Sequence, residues 1–200
     1  MFKTPLLVRW IYARRVWGFS NSDKVFLTFD DGPTSELTNW ILDFLKEEDV
    51  KATFFCVGQN VQDHPDIYTR ILTEGHAIGN HTMQHERSGK VSSSEFLQSI
   101  DKASKLIDSK LFRPPHGRLS LLRGRKVRRD YKIIMWSWLS YDFDKEVSIE
   151  KILKEAERIK KGDILVLHDN AKVIERVKVL LPQLVRDLKE KGLEFDVISS

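Results

Sequence analysis

Apolar runs alternate with amphipathic stretches along most of this 200-residue chain, about seven times over, and repeated strand–helix units of this kind imply parallel strands with helices outside. Val25–Phe29, Ala52–Val57, Ala77–Gly79, Leu111–Arg113, Tyr131–Trp136, Ile164–Leu167 and Leu193–Val197 read as strands. Helical spacing marks 34–48, 67–74, 93–109, 119–129, 149–159 and 174–189. The first of these aligns Leu37, Ile41 and Leu45 on one face, with Thr34 or Ser35 as its cap. Gly75 and Gly162 stand where helices end. The polar motifs follow the apolar runs, so they fall at the carboxyl ends of strands. In a closed βα barrel those ends form one face, where distant residues converge on a site. The alternative, an open doubly wound sheet, would more naturally carry a glycine-rich phosphate loop, and no GxGxxG follows a strand here.

Two hundred residues suit one domain with a full core. Residues 1–22 read as an arm, with Trp10, Tyr12 and Trp17 packing on a domain spanning 23–200. Lys3, Arg9, Arg14 and Arg15 interrupt the apolar residues of the first nineteen positions, and no small-residue cleavage site follows. An export signal is therefore not expected, nor is a membrane span. Cys56 is the single cysteine and lies in an apolar run, which reads as core and excludes a disulfide framework. The net charge of +4 is mild. The basic run Arg123–Arg129 reads as the solvated face of a helix. No aromatic-rich recognition motif accompanies it, so nucleic-acid binding is not expected.

Asp30 and Asp31 are adjacent at the end of the first apolar run. Like charges this close raise one pKa unless a cation intervenes. Asp-Gly-Pro is also a turn signal, and one aspartate would serve as a cap near Thr34. Two exceed what a cap requires. His81 and His85 are spaced i, i+4, which on a helical turn places both rings on one face, as two ligands of a divalent ion need. Asp31 is the candidate third, oxygen ligand, and zinc suits such an N,N,O set with an open position. Asp30 then fits a general base acting on a water activated by the metal. His168 leaves an apolar strand; in isolation it reads as a satisfied core histidine, and beside a metal site as a general acid. In Arg113-Pro114-Pro115-His116-Gly117 the prolines stiffen the backbone. Arg113 is placed to hold Asp30 ionised, and a backbone N–H near His116 to face a developing oxyanion.

These residues resemble the polysaccharide deacetylase family, the NodB-homology domain of carbohydrate esterase family 4. Thr28-Phe29-Asp30-Asp31-Gly32-Pro33 matches its first motif and Asn80-His81-Thr82-Met83-Gln84-His85 its second. Arg113–Gly117, Trp136–Asp142 and Leu165–Asp169 resemble the third, fourth and fifth, in order. The resemblance implies a distorted (β/α)7-type barrel and metal-dependent removal of acetyl groups from N-acetylated sugars such as peptidoglycan or chitin-like oligosaccharides. It implies Asp30 as base, Asp31, His81 and His85 as ligands of zinc, Arg113 as support for the base and His168 as acid. It also implies Leu167 and Trp138 in an acetyl-methyl pocket or sugar platform, the alternative for either being a place in the core. Substrates of this family usually lie outside the cytoplasm.

Two positions depart from the pattern. His116 replaces a usual tyrosine, which puts a side-chain contact to sugar in doubt. Leu139 stands where many members have an aspartate that orients the acid histidine, leaving Asp142 or Asp169 as substitutes. Two rival readings accompany the leading one: an O-deacetylase of acetylated xylan with the same metal chemistry, and a catalytically weak carbohydrate-binding module, to which Leu139 points.

Overall fold

The computed structural model describes residues 2–199. Its strands are β1 (Lys24–Asp30), β2 (Thr53–Cys56), β3 (Ala77–Asn80), β4 (Leu111–Phe112), β5 (Lys132–Ile133), β6 (Trp138–Leu139), β7 (Ile164–His168) and β8 (Glu194–Phe195). The helices are α1 (Leu6–Ile11), α2 (Leu37–Glu47), α3 (Gly58–Asp63), α4 (Pro65–Thr73), α5 (Ser93–Ser104), α6 (Leu121–Val127), α7 (Ile149–Ala156) and α8 (Ile174–Glu190). The strands pair in the order β5-β4-β3-β2-β1-β7-β6, with β8 on the start of β1, and every pairing among them is parallel. The result is a half-barrel, open between β5 and β6, in which β1 lies between β2 and β7.

Strand alternation sorts the side chains into an outer and an inner set. On β1, Val25, Leu27 and Phe29 face outward and join Leu37, Ile41 and Leu45 of α2 and Leu180 and Leu184 of α8 in the main core cluster. Phe26 faces inward, into a floor made with Phe55, Leu111, Ile134 and Ile164. Thr28 and Asp30 follow Phe26 on the same inner face, so the interior becomes polar toward the carboxyl end. The outer apolar layer anchors the helices and the floor closes the barrel bottom, leaving one end to hold polar groups.

Several sequence expectations are corrected here. The strand expected over Tyr131–Trp136 breaks after Ile133 and resumes as β6. The intervening backbone groups are used elsewhere: Met135 N–H donates to the Val16 carbonyl, and the Ile134 and Met135 carbonyls accept from Arg113. Helix α2 begins at Leu37 without a side-chain cap, because the Thr34 hydroxyl donates to Asp169 instead. The arm contains a short helix, α1, in which Trp10 is 76% exposed rather than packed. Other arm residues do meet the sheet: Phe2 stacks on Trp138, and Val16 and Gly18 bridge to Ile134 and Asp163. Among the described residues no helix is long and apolar enough to cross a membrane.

Candidate active site

Asp30 is the last residue of β1 and lies in register with His168, the last residue of β7. Side chains 138 positions apart in sequence are thus brought side by side by one parallel ladder. Arg113 enters from β4. It is fully buried, donates to Asp30 Oδ1 at 2.6 Å and to Thr28 Oγ1 at 2.7 Å, and lies 4.0 Å from the centre of the Phe55 ring. Burial draws the Arg113 pKa down and Asp30 opposes it. The carboxylate therefore carries a fixed counter-charge on one oxygen.

Asp31 turns the chain at φ 84° and aims its carboxylate at two histidines. Its Oδ1 lies 3.1 Å from His85 Nε2 and 3.6 Å from His81 Nε2. The expected helical turn between the histidines is absent. Residues 81–86 form a loop in which Thr82 and His85 have φ of 68° and 57°. The loop is shaped by Asn80, whose Oδ1 accepts from Thr82 N–H at 2.8 Å and whose Nδ2 donates to the Ile100 carbonyl. Met83 N–H is held by Ser99 Oγ at 2.9 Å. Five of the six described non-glycine residues with positive φ, namely Asp31, Thr82, His85, His116 and Tyr141, lie in the loops above the strands, the usual place for stored backbone strain.

Three observations fit Asp31, His81 and His85 to a divalent metal. Their ligand atoms all lie within 4.8 Å of one another. Asp31 Oδ1 is buried and accepts no hydrogen bond among the described residues. His81 Nδ1 lies 2.7 Å from the Arg113 carbonyl, so it carries the proton and leaves the Nε2 lone pair facing Asp31. Burial alone would raise the Asp31 pKa; where the two histidines are protonated their positive charge outweighs it and holds the carboxyl well below its usual range. Asn170 Nδ2 donates to the other oxygen, Oδ2, at 2.7 Å and so fixes which oxygen faces the histidines.

His168 is oriented by Asp142. The Asp142 carboxylate accepts from His168 Nδ1 at 2.7 Å with one oxygen and from His168 backbone N–H at 2.7 Å with the other. This leaves Nε2 directed to the cleft. Burial would lower the His168 pKa, but Asp142, then Asp31 and Asp30, raise it to about 9. Asp142 thus supplies the carboxylate sought at position 139. Asp169 serves another purpose: its oxygens accept from Thr34 and Thr38, and burial pushes its pKa up to about 7.

The cleft has a volume of about 440 Å³ and is lined by Asp30, Asp31, His81, His85, His116 and His168. Leu139, Val166, Phe143 and Trp136 form its apolar wall. Trp138 and Leu167, expected to contact sugar, are fully buried in the core instead. Alternation is the reason: each adjoins in sequence an inward-facing residue, Leu139 or His168, and so faces the helices. That signal was available in the sequence. Asn170 carries no such signal, because its role depends on loops meeting from different elements; Asn80, ahead of the histidine pair, does read as a turn residue in the sequence. His116 is largely exposed beside His85, with ring centres 4.6 Å apart, and its pKa is lowered by the partial desolvation that remains, then by His85 and Arg87. The N–H groups of Gly117 and Arg118 turn back to the Pro114 and Pro115 carbonyls; the His116 N–H has no acceptor among the described residues.

The polysaccharide deacetylase family model matches residues 19–132. A peptidoglycan-N-acetylglucosamine deacetylase of Bacillus cereus is 32% identical over 192 residues, covering 92% of this chain and 90% of the relative. A bifunctional xylanase/deacetylase of Pseudobutyrivibrio xylanivorans is 34% identical over 190 residues, covering 90% of this chain and 30% of the relative. Among solved structures, a peptidoglycan N-acetylglucosamine deacetylase in complex with 4-naphthalen-1-yl-N-oxidanyl-benzamide superposes with a TM-score of 0.87 at 32% identity, covering 98% of this chain and 95% of that one.

Proposed function

The chain belongs to the polysaccharide deacetylase family, and on that premise we propose that it hydrolyses the acetamido group of N-acetylglucosamine residues in a peptidoglycan-type glycan, with a divalent metal, zinc by preference, held by Asp31, His81 and His85. The observation that carries this reading is the convergence of a base, a metal-fitting triad and an oriented acid in one cleft.

A metal held by the triad supplies Lewis-acid polarisation of the acetyl carbonyl and a more acidic water. Asp30 takes a proton from the attacking water, and Arg113 holds that carboxylate in place through one oxygen. The water oxygen bonds to the carbonyl carbon, and the His116 N–H donates to the oxyanion that develops. The C–N bond then breaks while His168 Nε2–H protonates the leaving amine, giving acetate and a free glucosamine. Leu139, Val166 and Phe143 offer the acetyl methyl an apolar surface.

The peptidoglycan reading is preferred to acetylated xylan because a relative of that name matches over nine tenths of both chains. The intact triad and base argue against a mere binding module. Acetate release from N-acetylglucosamine oligomers tests the proposal. Chelation abolishes release and zinc restores it. Asp30→Asn reduces kcat by at least about a thousandfold while calorimetry shows zinc still bound. Near-normal turnover by Asp30→Asn would remove Asp30 as the base.

A further inference from the structure

Next to the cleft lies a second depression, about 520 Å³ in volume, lined by Arg87, Lys90, Arg118 and Arg123 together with Ser88 and Ser120. Arg87 and Arg118 also line the catalytic cleft, so the two spaces adjoin across these side chains. No carboxylate lines this second space. None of its four cations enters an ion pair among the described residues. Arg123 is nonetheless held in place: Nη2 donates to the Val91 carbonyl at 2.7 Å, Nη1 reaches Ser88 Oγ at 3.4 Å, and the guanidinium lies 5.7 Å from the Phe96 ring centre. Four like charges gathered around a concavity repel one another. A ligand oxyanion relieves that repulsion, and guanidinium groups match carboxylate and phosphate geometry.

We propose that this depression is a subsite for an anionic group, a carboxylate or a phosphate, carried by the glycan on a residue neighbouring the sugar that loses its acetyl group. The inference rests on the deacetylase reading above and sharpens it: the enzyme selects acetylated glycans by charge as well as by the acetyl group. Adjacency to the cleft is what points to a glycan-borne anion, since one glycan chain with its acetyl group in the cleft passes beside the depression. Arg87 and Arg118 stand at the junction and touch both.

The test compares kcat/KM for acetate release by the zinc-loaded full chain on three oligomers of equal length. One is a neutral N-acetylglucosamine oligomer. The second is a peptide-free strand alternating N-acetylglucosamine with N-acetylmuramic acid, which supplies carboxylates. The third is an N-acetylglucosamine oligomer with a terminal phosphate. At low salt at least one anionic oligomer is preferred by about tenfold, chiefly through KM, and the preference shrinks as salt rises. Which anionic oligomer is preferred identifies the source of the charge. Lys90→Glu reverses a charge that lines only the depression, and reduces the preference by about fivefold or more. Both substrates are measured on the same sample, so any loss of folded enzyme cancels in the ratio. Equal kcat/KM on all three oligomers at low salt overturns the subsite while leaving the deacetylase reading intact. A preference undiminished in Lys90→Glu does the same. Acetate released from none of the three overturns both.

Discussion

Asp142 is the residue on which the proposed role of His168 as general acid turns. Its two oxygens hold the ring and the backbone of His168, and its charge is the main influence raising that imidazole to about 9. Position 139, where a partner was sought, faces the cleft from β6 as an apolar residue. The chain then passes through Tyr141 at φ 56° and delivers Asp142 from the loop. A general acid works while it is protonated, so activity falls as pH rises through its pKa. Replacing Asp142 by Asn removes the favourable charge and lowers that pKa. The alkaline limb of the kcat–pH profile therefore moves to lower pH, and kcat falls by about ten- to a hundredfold. An unmoved alkaline limb would show that His168 does not govern it. Asn170 belongs to the same scale. It holds the Asp31 oxygen that faces away from the histidines, and partners of this kind are worth about ten- to a hundredfold in metal affinity. Calorimetric titration of Asn170→Ala with zinc reads that loss directly; unchanged affinity would leave Asn170 a loop contact only.

The loop after β3 shows how an element reaches a result by a route its sequence does not advertise. The i, i+4 spacing of His81 and His85 points to a helical turn. The chain instead bends through two left-handed residues, and the rings still meet, 5.1 Å apart. Asn80 makes this bend by accepting from Thr82 N–H while anchoring to α5. Asn80→Ala leaves His81, His85 and Asp31 in the chain but frees the loop. Zinc affinity is then expected to fall by about tenfold, with thermal unfolding of the apo chain as the control for fold. Affinity equal to wild type would mean the loop holds its shape without Asn80. The strands were more legible than the loops. Alternation along β7 and β6 puts Val166 and Leu139 on the inner face and Leu167 and Trp138 on the outer one. The core residues that resulted, 0% exposed in both cases, follow from period two alone.

At the scale of the whole molecule, Arg113 is the post around which the half-barrel is built. It reaches β1 through Asp30 and Thr28, and the β5–β6 connection through the Ile134 and Met135 carbonyls. Removing one partner of a buried ion pair strands the other, so Arg113→Leu costs about 3–5 kcal/mol of folding stability. Asp30→Asn in the same chain discharges the stranded group, and the double variant is expected to recover part of that loss in a denaturant-unfolding cycle. Strict additivity would show that the two residues are not coupled. The sequence by itself determined the alternation of strands and helices, hence a parallel sheet with its polar residues at one end, because periodicity is a local property of the chain. It also marked Asp30, Asp31, His81, His85, Arg113 and His168 as chemistry-bearing, because such residues at strand ends are costly without a use. Only the tertiary structure decided which carboxylate serves His168, how the two histidines meet, which apolar residues wall the cleft, and that four distant cations share a hollow beside it. Those are relations between segments far apart in the chain, fixed by strand register and loop packing, and neither is written in any one segment.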